Sequence, residues 1–242
     1  MPQTVARRNF LALTAGAVTF PDVLLASPKM GEDNPPIVLD HILLGCNDLD
    51  RGIAFVEEHT GVRAAFGGVH PGRGTRNALL SLGEKHYLEI IAPGPQQPGA
   101  PDTRDLQKLS EPRLVGWAAH PGDIGQFAAT LRNAKISFEG PTPGSRKRPD
   151  GRLLQWKTLN LKNDESGMLP FFIEWSTGTI HPSSDAPAGC KIESFAIATP
   201  NEAELQRLCT QLHLDVQVEH GEKPQLLAHI SGPDGRVMQL TS

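Results

Sequence analysis

Cysteine is scarce in this sequence. Cys46, Cys190 and Cys209 are scattered over 242 residues and no CxxC pair occurs, which excludes a zinc ribbon and leaves at most one intrachain disulfide. Charge of one sign is also missing. With 23 Lys and Arg against 27 Asp and Glu, the net charge is −4; there is neither a basic excess for nucleic acid nor an acidic tail. The best apolar stretch, residues 12–26, is interrupted by Pro21 and Asp22, so it makes a poor membrane span. Ser145 and Ser194 have no His–Asp arrangement beside them, and a hydrolase triad is unsupported. Gly72-Arg73-Gly74 lacks the strand–loop–helix context of a nucleotide-binding fingerprint.

What is abundant is punctuation. The 24 glycines and 21 prolines favour many short strands and turns over a helix bundle. At the start, Arg7-Arg8-Asn9-Phe10-Leu11 followed by small and apolar residues is similar to a bacterial twin-arginine (Tat) signal over residues 1–26. It predicts periplasmic or secreted protein, with cytoplasmic location if the signal reading is wrong. Residues 27–36 read as a linker.

From residue 37 the pattern becomes regular. Ile37-Val38-Leu39-Asp40-His41-Ile42-Leu43-Leu44-Gly45 is a short apolar run broken by one His, and His86-Tyr87-Leu88-Glu89-Ile90-Ile91-Ala92-Pro93 is one broken by a Glu. Both read as buried strands, in which an ionisable group is costly without a partner. Between them the sequence predicts a helix after Asp48, a strand at 62–66, a Gly-rich loop at 67–75 and a strand at 77–82. The order is βαβββ over 37–93. It recurs over 113–176, with strands at 114–120, 136–139, 153–161 and 170–175, a helix capped by Asp123, and a loop at 140–151. A third, shorter βαβββ-like unit occupies 191–242. The fold class is α+β.

This repeated unit resembles the vicinal-oxygen-chelate superfamily, in particular its glyoxalase-like and dihydroxybiphenyl-dioxygenase-like domains. The segments carrying the resemblance are Leu39-Asp40-His41-Ile42-Leu43, Asn47-Asp48-Leu49-Asp50, Gly74-Thr75-Arg76-Asn77-Ala78-Leu79 and Tyr87-Leu88-Glu89-Ile90. It implies two units curling their sheets around one cavity, with ligands for a divalent metal on the first and last strand of each. Carried onto this chain, the ligands are His41, Glu89 and Glu174. The fourth place falls on Gly116 when Asp48 is lined up with Asp123, and glycine has no donor; His120 replaces it only under another register. The third unit offers Ser194 and Gln239 there.

One imidazole and two carboxylates suit Mn, Fe, Ni or Zn, and Glu89 and Glu174 are the candidate catalytic carboxylates. For substrate binding the candidates are Arg76 (favoured over Arg73), Asn77, Arg146, Arg148 and Trp156. The resemblance thus implies a metal-dependent lyase, isomerase or dioxygenase acting on a small oxygen-rich or anionic molecule. The alternative is a metal-free protein that sequesters a small ligand in the same cavity, with His41 and Glu89 paired to each other.

Overall fold

The structure is a computed structural model describing residues 35–95, 103–148, 150–162, 164 and 167–242. The twin-arginine segment and most of the linker lie outside these residues. All described residues fall in one compact unit, Gly31–Ser242. None of its helices is long and apolar enough to cross a membrane.

The first unit comprises β1 (Leu39–Gly45), α1 (Leu49–Thr60), β2 (Ala65–His70), β3 (Thr75–Ser81) and β4 (Tyr87–Pro93). Helix α1 starts where the Asp48 side chain accepts from the Arg51 N–H at 3.0 Å. It stops at Gly61, whose φ of 76° needs a residue without Cβ. Its buried side, Leu49, Ile53 and Val56, packs on β4. The Gly-rich stretch is not wholly a loop. Residues 67–70 belong to β2, which brings His70 opposite Thr75 of β3.

The second unit repeats this with β5 (Arg113–Ala119), α3 (Ile124–Asn133), β6 (Phe138–Lys147), β7 (Leu153–Leu161) and β8 (Phe171–Trp175); a short helix, α2 (Arg104–Gln107), lies in the connector before it. The stretch read as a loop at 140–151 is for the most part strand β6. Pro141 and Pro143 are compatible with it because β6 is an edge strand, where one side of the ladder has no hydrogen bonds to lose.

Strands β1 to β8 form one sheet in the order β2-β3-β4-β1-β5-β8-β7-β6. The two units join where β1 pairs antiparallel with β5, and the sheet curls until its edge strands β2 and β6 touch. One face of the curled sheet lines a cavity of about 1000 Å³. The other buries Ile42, Leu44, Leu88, Ile90 and Phe172 in the core.

The third unit keeps the chain order β9 (Lys191–Thr199), α4 (Glu202–Gln211), β10 (Gln217–His220), β11 (Gln225–Ser231), β12 (Val237–Thr241). Its sheet order is β10-β9-β11-β12. Here the first and last strands are not neighbours, as β1 and β4 are. Ser194 and Gln239 are therefore separated by β11, each facing His229 across a different strand pair. The unit packs against β5 and α1, with Trp117 and Phe195 ring centroids 5.1 Å apart.

Candidate functional site

Strand alternation decides which side chains enter the cavity. On β1 and β4 they are His41, Leu43, Tyr87, Glu89 and Ile91. The register pairs His41 with Tyr87 and Leu43 with Glu89, so the His and the Glu sit diagonally on neighbouring strands. His41 Nε2 lies 3.4 Å from Glu89 Oε2 but makes no hydrogen bond, although it is fully removed from solvent. His70 Nε2 lies 3.4 Å from the other oxygen, Glu89 Oε1, which also accepts from Asn77 Nδ2 at 2.7 Å.

Asp40 is part of the same cluster because of a bulge. Between Leu39 and His41 the β1–β5 register shifts, and the extra residue lets two consecutive side chains meet. Asp40 Oδ1 lies 2.6 Å from His41 Nδ1. Its Oδ2 accepts from Trp175 Nε1 at 3.0 Å and lies 3.2 Å from His181 Nε2. His181, far along the chain from Asp40, is thus tied to the buried cluster. A carboxylate beside a His in a buried strand was the available signal, since Asp is almost never fully buried unpaired.

These contacts set the charges. Burial pushes the His41 pKa down, but the bond to Asp40 and the close carboxylates of Asp40 and Glu89 outweigh it and raise the value to about 9. Burial works to raise Glu89, and the close imidazoles of His41 and His70 hold it well below the usual carboxylate range. Asp40 is lowered in the same way, burial being overcome by His181 and His41.

Glu174 does not join this group. Its neighbours Ile173 and Trp175 line the cavity, and Glu174 points to the opposite face. There its Oε2 accepts from the Ile124 N–H at 2.7 Å at the start of α3, and Oε1 pairs with Lys157 Nζ at 3.3 Å. Nor is Gly116 the counterpart of His41. Ala118 pairs with Phe171 as His41 pairs with Tyr87, which makes Ala118 the counterpart of His41 and Ile173 that of Glu89. Both are apolar. Glu174→Ala is expected to cost about 1 kcal/mol of stability, as for a lost helix cap, and to leave metal content unchanged; denaturant unfolding and elemental analysis would check both.

Of the binding candidates, Asn77, Arg146 and Trp156 line the cavity together with Arg73. Arg76 does not. It alternates to the outer face of β3 and lies 3.7 Å from Asp48. Arg148 is engaged with Asp185 at 2.6 Å and is not a lining residue. His120 lies 3.0 Å from the Ile37 carbonyl, also outside the cavity.

Do the clustered residues suit a divalent ion? Two donors each about 2.1 Å from a tetrahedral ion stand about 3.4 Å apart, the separation found for His41 and Glu89. Asp40 on Nδ1 fixes the imidazole so that Nε2 faces Glu89, as in carboxylate–histidine–metal arrangements. These two residues fit, with His70 adjacent as a third donor. As they stand, no three or more His, Cys, Asp or Glu among the described residues enclose an ion.

A family model described as glyoxalase-like domain matches residues 39–213. No curated protein matches. Among solved structures, a hypothetical protein from Staphylococcus aureus is similar with a TM-score of 0.60 at 18% identity, over 84% of this chain and 84% of that one. A methylmalonyl-CoA epimerase from Mycobacterium tuberculosis gives a TM-score of 0.45 at 21% identity, over 61% of this chain and 94% of the other. The first of these likenesses shows a common fold.

Proposed function

We infer the function from two premises: the chain belongs to the glyoxalase-like domain family, and its cavity holds a buried imidazole nitrogen 3.4 Å from a carboxylate oxygen. Our reading is a divalent-metal-dependent enzyme, of lyase, isomerase or dioxygenase type, acting on a small oxygen-rich or anionic molecule. The observation that carries it is His41 Nε2, buried without a hydrogen bond while Nδ1 is held by Asp40. At 3.4 Å from Glu89 Oε2 the nitrogen meets its carboxylate without a well-formed hydrogen bond, and an ion between the two would bond both.

His41 and Glu89 are the residues that would hold the ion, with His70 beside them; the N/O set suits Mn, Fe, Ni or Zn. When bound, a divalent ion supplies polarisation of a substrate carbonyl or enediolate oxygen. The chain's own residues do the rest. Glu89 is the carboxylate placed to take a proton, with His70 Nε2 3.4 Å from its Oε1 as the next station. Arg146 orients a negatively charged group. Leu43, Leu79, Ile91, Phe171 and Ile173 line the walls and restrict water around the polar cluster. On the strength of Arg7-Arg8 and the apolar stretch after it, export by the twin-arginine route belongs to the same proposal.

A second reading, metal-free ligand binding, is favoured by Ala118 and Ile173 in the second unit, where the paired fold would otherwise supply donors. Metal content separates the two. Protein made without a histidine tag and offered Mn, Fe, Ni and Zn should retain close to one equivalent of one of them after desalting. Only trace metal in every case would sink the enzyme reading and leave the binding one.

A further inference from the structure

Arg146 is an unusual residue to find where it is. It comes from edge strand β6, reaches across to the opposite edge of the sheet, and is only 5% exposed. Among the described residues its single acceptor is Asn77 Oδ1, at 2.8 Å from Nη1. A guanidinium has five N–H donors, and Arg146 has no nitrogen that is both solvent-free and unbonded. Its unbonded donors therefore open into the cavity that it lines.

Glu89 is the nearest carboxylate in the chain of contacts, but Asn77 stands between them, donating to Glu89 at 2.7 Å while accepting from Arg146. The buried cation is thus given a neutral partner and left short of an anion, a costly arrangement until an anion arrives.

The backbone around it is cleared for this purpose. A Cβ on Gly67 would stand 2.5 Å from Asn77 Oδ1, and one on Gly68 2.9 Å from Arg146 Nη1. Only glycine at both positions lets the amide–guanidinium pair seat against β2.

Two residues back on the same strand, Gly144 faces Trp156 of β7. A Cβ there would lie 2.5 Å from Trp156 Nε1 and 2.6 Å from Cε2, so the indole lies against the bare backbone of β6. Trp156 lines the cavity. Trp175, at a ring distance of 5.6 Å, is pinned by its bond to Asp40.

We propose that the cavity recognises a carboxylate carried on a flat unsaturated body, with the carboxylate on the free donors of Arg146 and the body against Trp156. A planar carboxylate matches the guanidinium fork in two parallel bonds. A phosphate dianion has one cation to meet and Glu89 close by to repel it. The proposal rests on the functional reading above only in placing the ligand in this cavity, and it does not need the ion.

The test is a calorimetric titration of the full-length protein with benzoate, benzamide, cyclohexanecarboxylate and inorganic phosphate, each with and without EDTA. Benzoate should bind under both conditions, benzamide at least ten-fold more weakly, cyclohexanecarboxylate several-fold more weakly, and phosphate should not compete. Arg146→Lys keeps the charge, loses the fork and should lose ten-fold or more. Trp156→Leu should erase the preference for benzoate over cyclohexanecarboxylate.

Equal binding of benzoate and benzamide would overturn the proposal, as would no saturable benzoate binding or unchanged affinity in a folded Arg146→Gln protein. If the Arg146 variants do not fold, the benzoate–benzamide comparison in the unaltered protein decides alone. Metal content, measured separately on protein never exposed to EDTA, reports on the enzyme reading: only trace metal there sinks that reading and leaves this one standing.

Discussion

His41→Ala is expected to lower the affinity for the proposed divalent ion by more than 100-fold. The magnitude follows from what is lost. Outer partners of a metal-bound His are worth about 10–100-fold each, and in the proposed site His41 would be a ligand itself. Asp40→Asn, which touches only the outer partner, should cost about 10–100-fold.

The same site fixes the pH dependence. The His41 pKa is raised to about 9, so below that value an incoming ion must displace a proton. Apparent affinity should therefore climb about ten-fold per pH unit, reach a plateau above about pH 9, and stand at pH 7 about 100-fold below the plateau, with one proton released per ion. Titration calorimetry in two buffers of different ionisation enthalpy counts that proton. Retention of one equivalent of metal by His41→Ala, or an affinity flat between pH 6 and 9, would refute the assignment.

In metal-stripped protein the sign of the stability linkage is opposite on the two flanks. The raised His41 pKa contributes stability that is complete below about 6.5 and lost as pH rises through about 9. The lowered carboxylates of Glu89 and Asp40 contribute stability present above the ordinary carboxylate range and lost as pH falls.

Trp117→Ala is expected to be the most destabilising single change in the sheet, at about 3–5 kcal/mol. The side chain is 1% exposed on the outer face of β5. It joins the curled sheet to the third unit through Phe195, and its Nε1 donates to the Met168 carbonyl at 2.8 Å. Trp117→Phe keeps most of the apolar area and should lose about 0.5–1.5 kcal/mol through the missing indole hydrogen bond. Denaturant unfolding measures both. A Trp117→Ala protein within 1 kcal/mol of the parent would mean that the third unit is not held by this contact.

Part of the site could be read from the chain because its signals are local. His41 and Glu89 are lone ionisable residues in apolar strands. Asp48 and Asp123 are caps whose spacing marks the helices, and both bond as caps do. Glu174 misled because it too sits in an apolar strand. In a strand of period two, a one-residue difference in register exchanges the two faces, and the register there is set by pairing with β5 and β7 rather than by anything in β8 itself. Lining up the two helix caps could not reveal the bulges at Asp40 and between Leu43 and Leu44. Arg146 was a binding candidate, but a stretch punctuated by Pro141, Pro143 and Gly144 reads as a loop until its place at the sheet edge is known. His70 falls in the stretch that reads as a Gly-rich loop, and nothing local marks His181.

The sequence by itself determined the repeating βαβββ order, the helix starts and the two strands that carry an imidazole and a carboxylate, because capping, alternation and turn chemistry act over a few residues. Which face each strand turns inward, that Arg146 crosses to meet Asn77, and that Asp40 holds His41 were decided only by the closed sheet. Those facts depend on strand register and on the approach of its two edges, which residues far apart in the chain settle together.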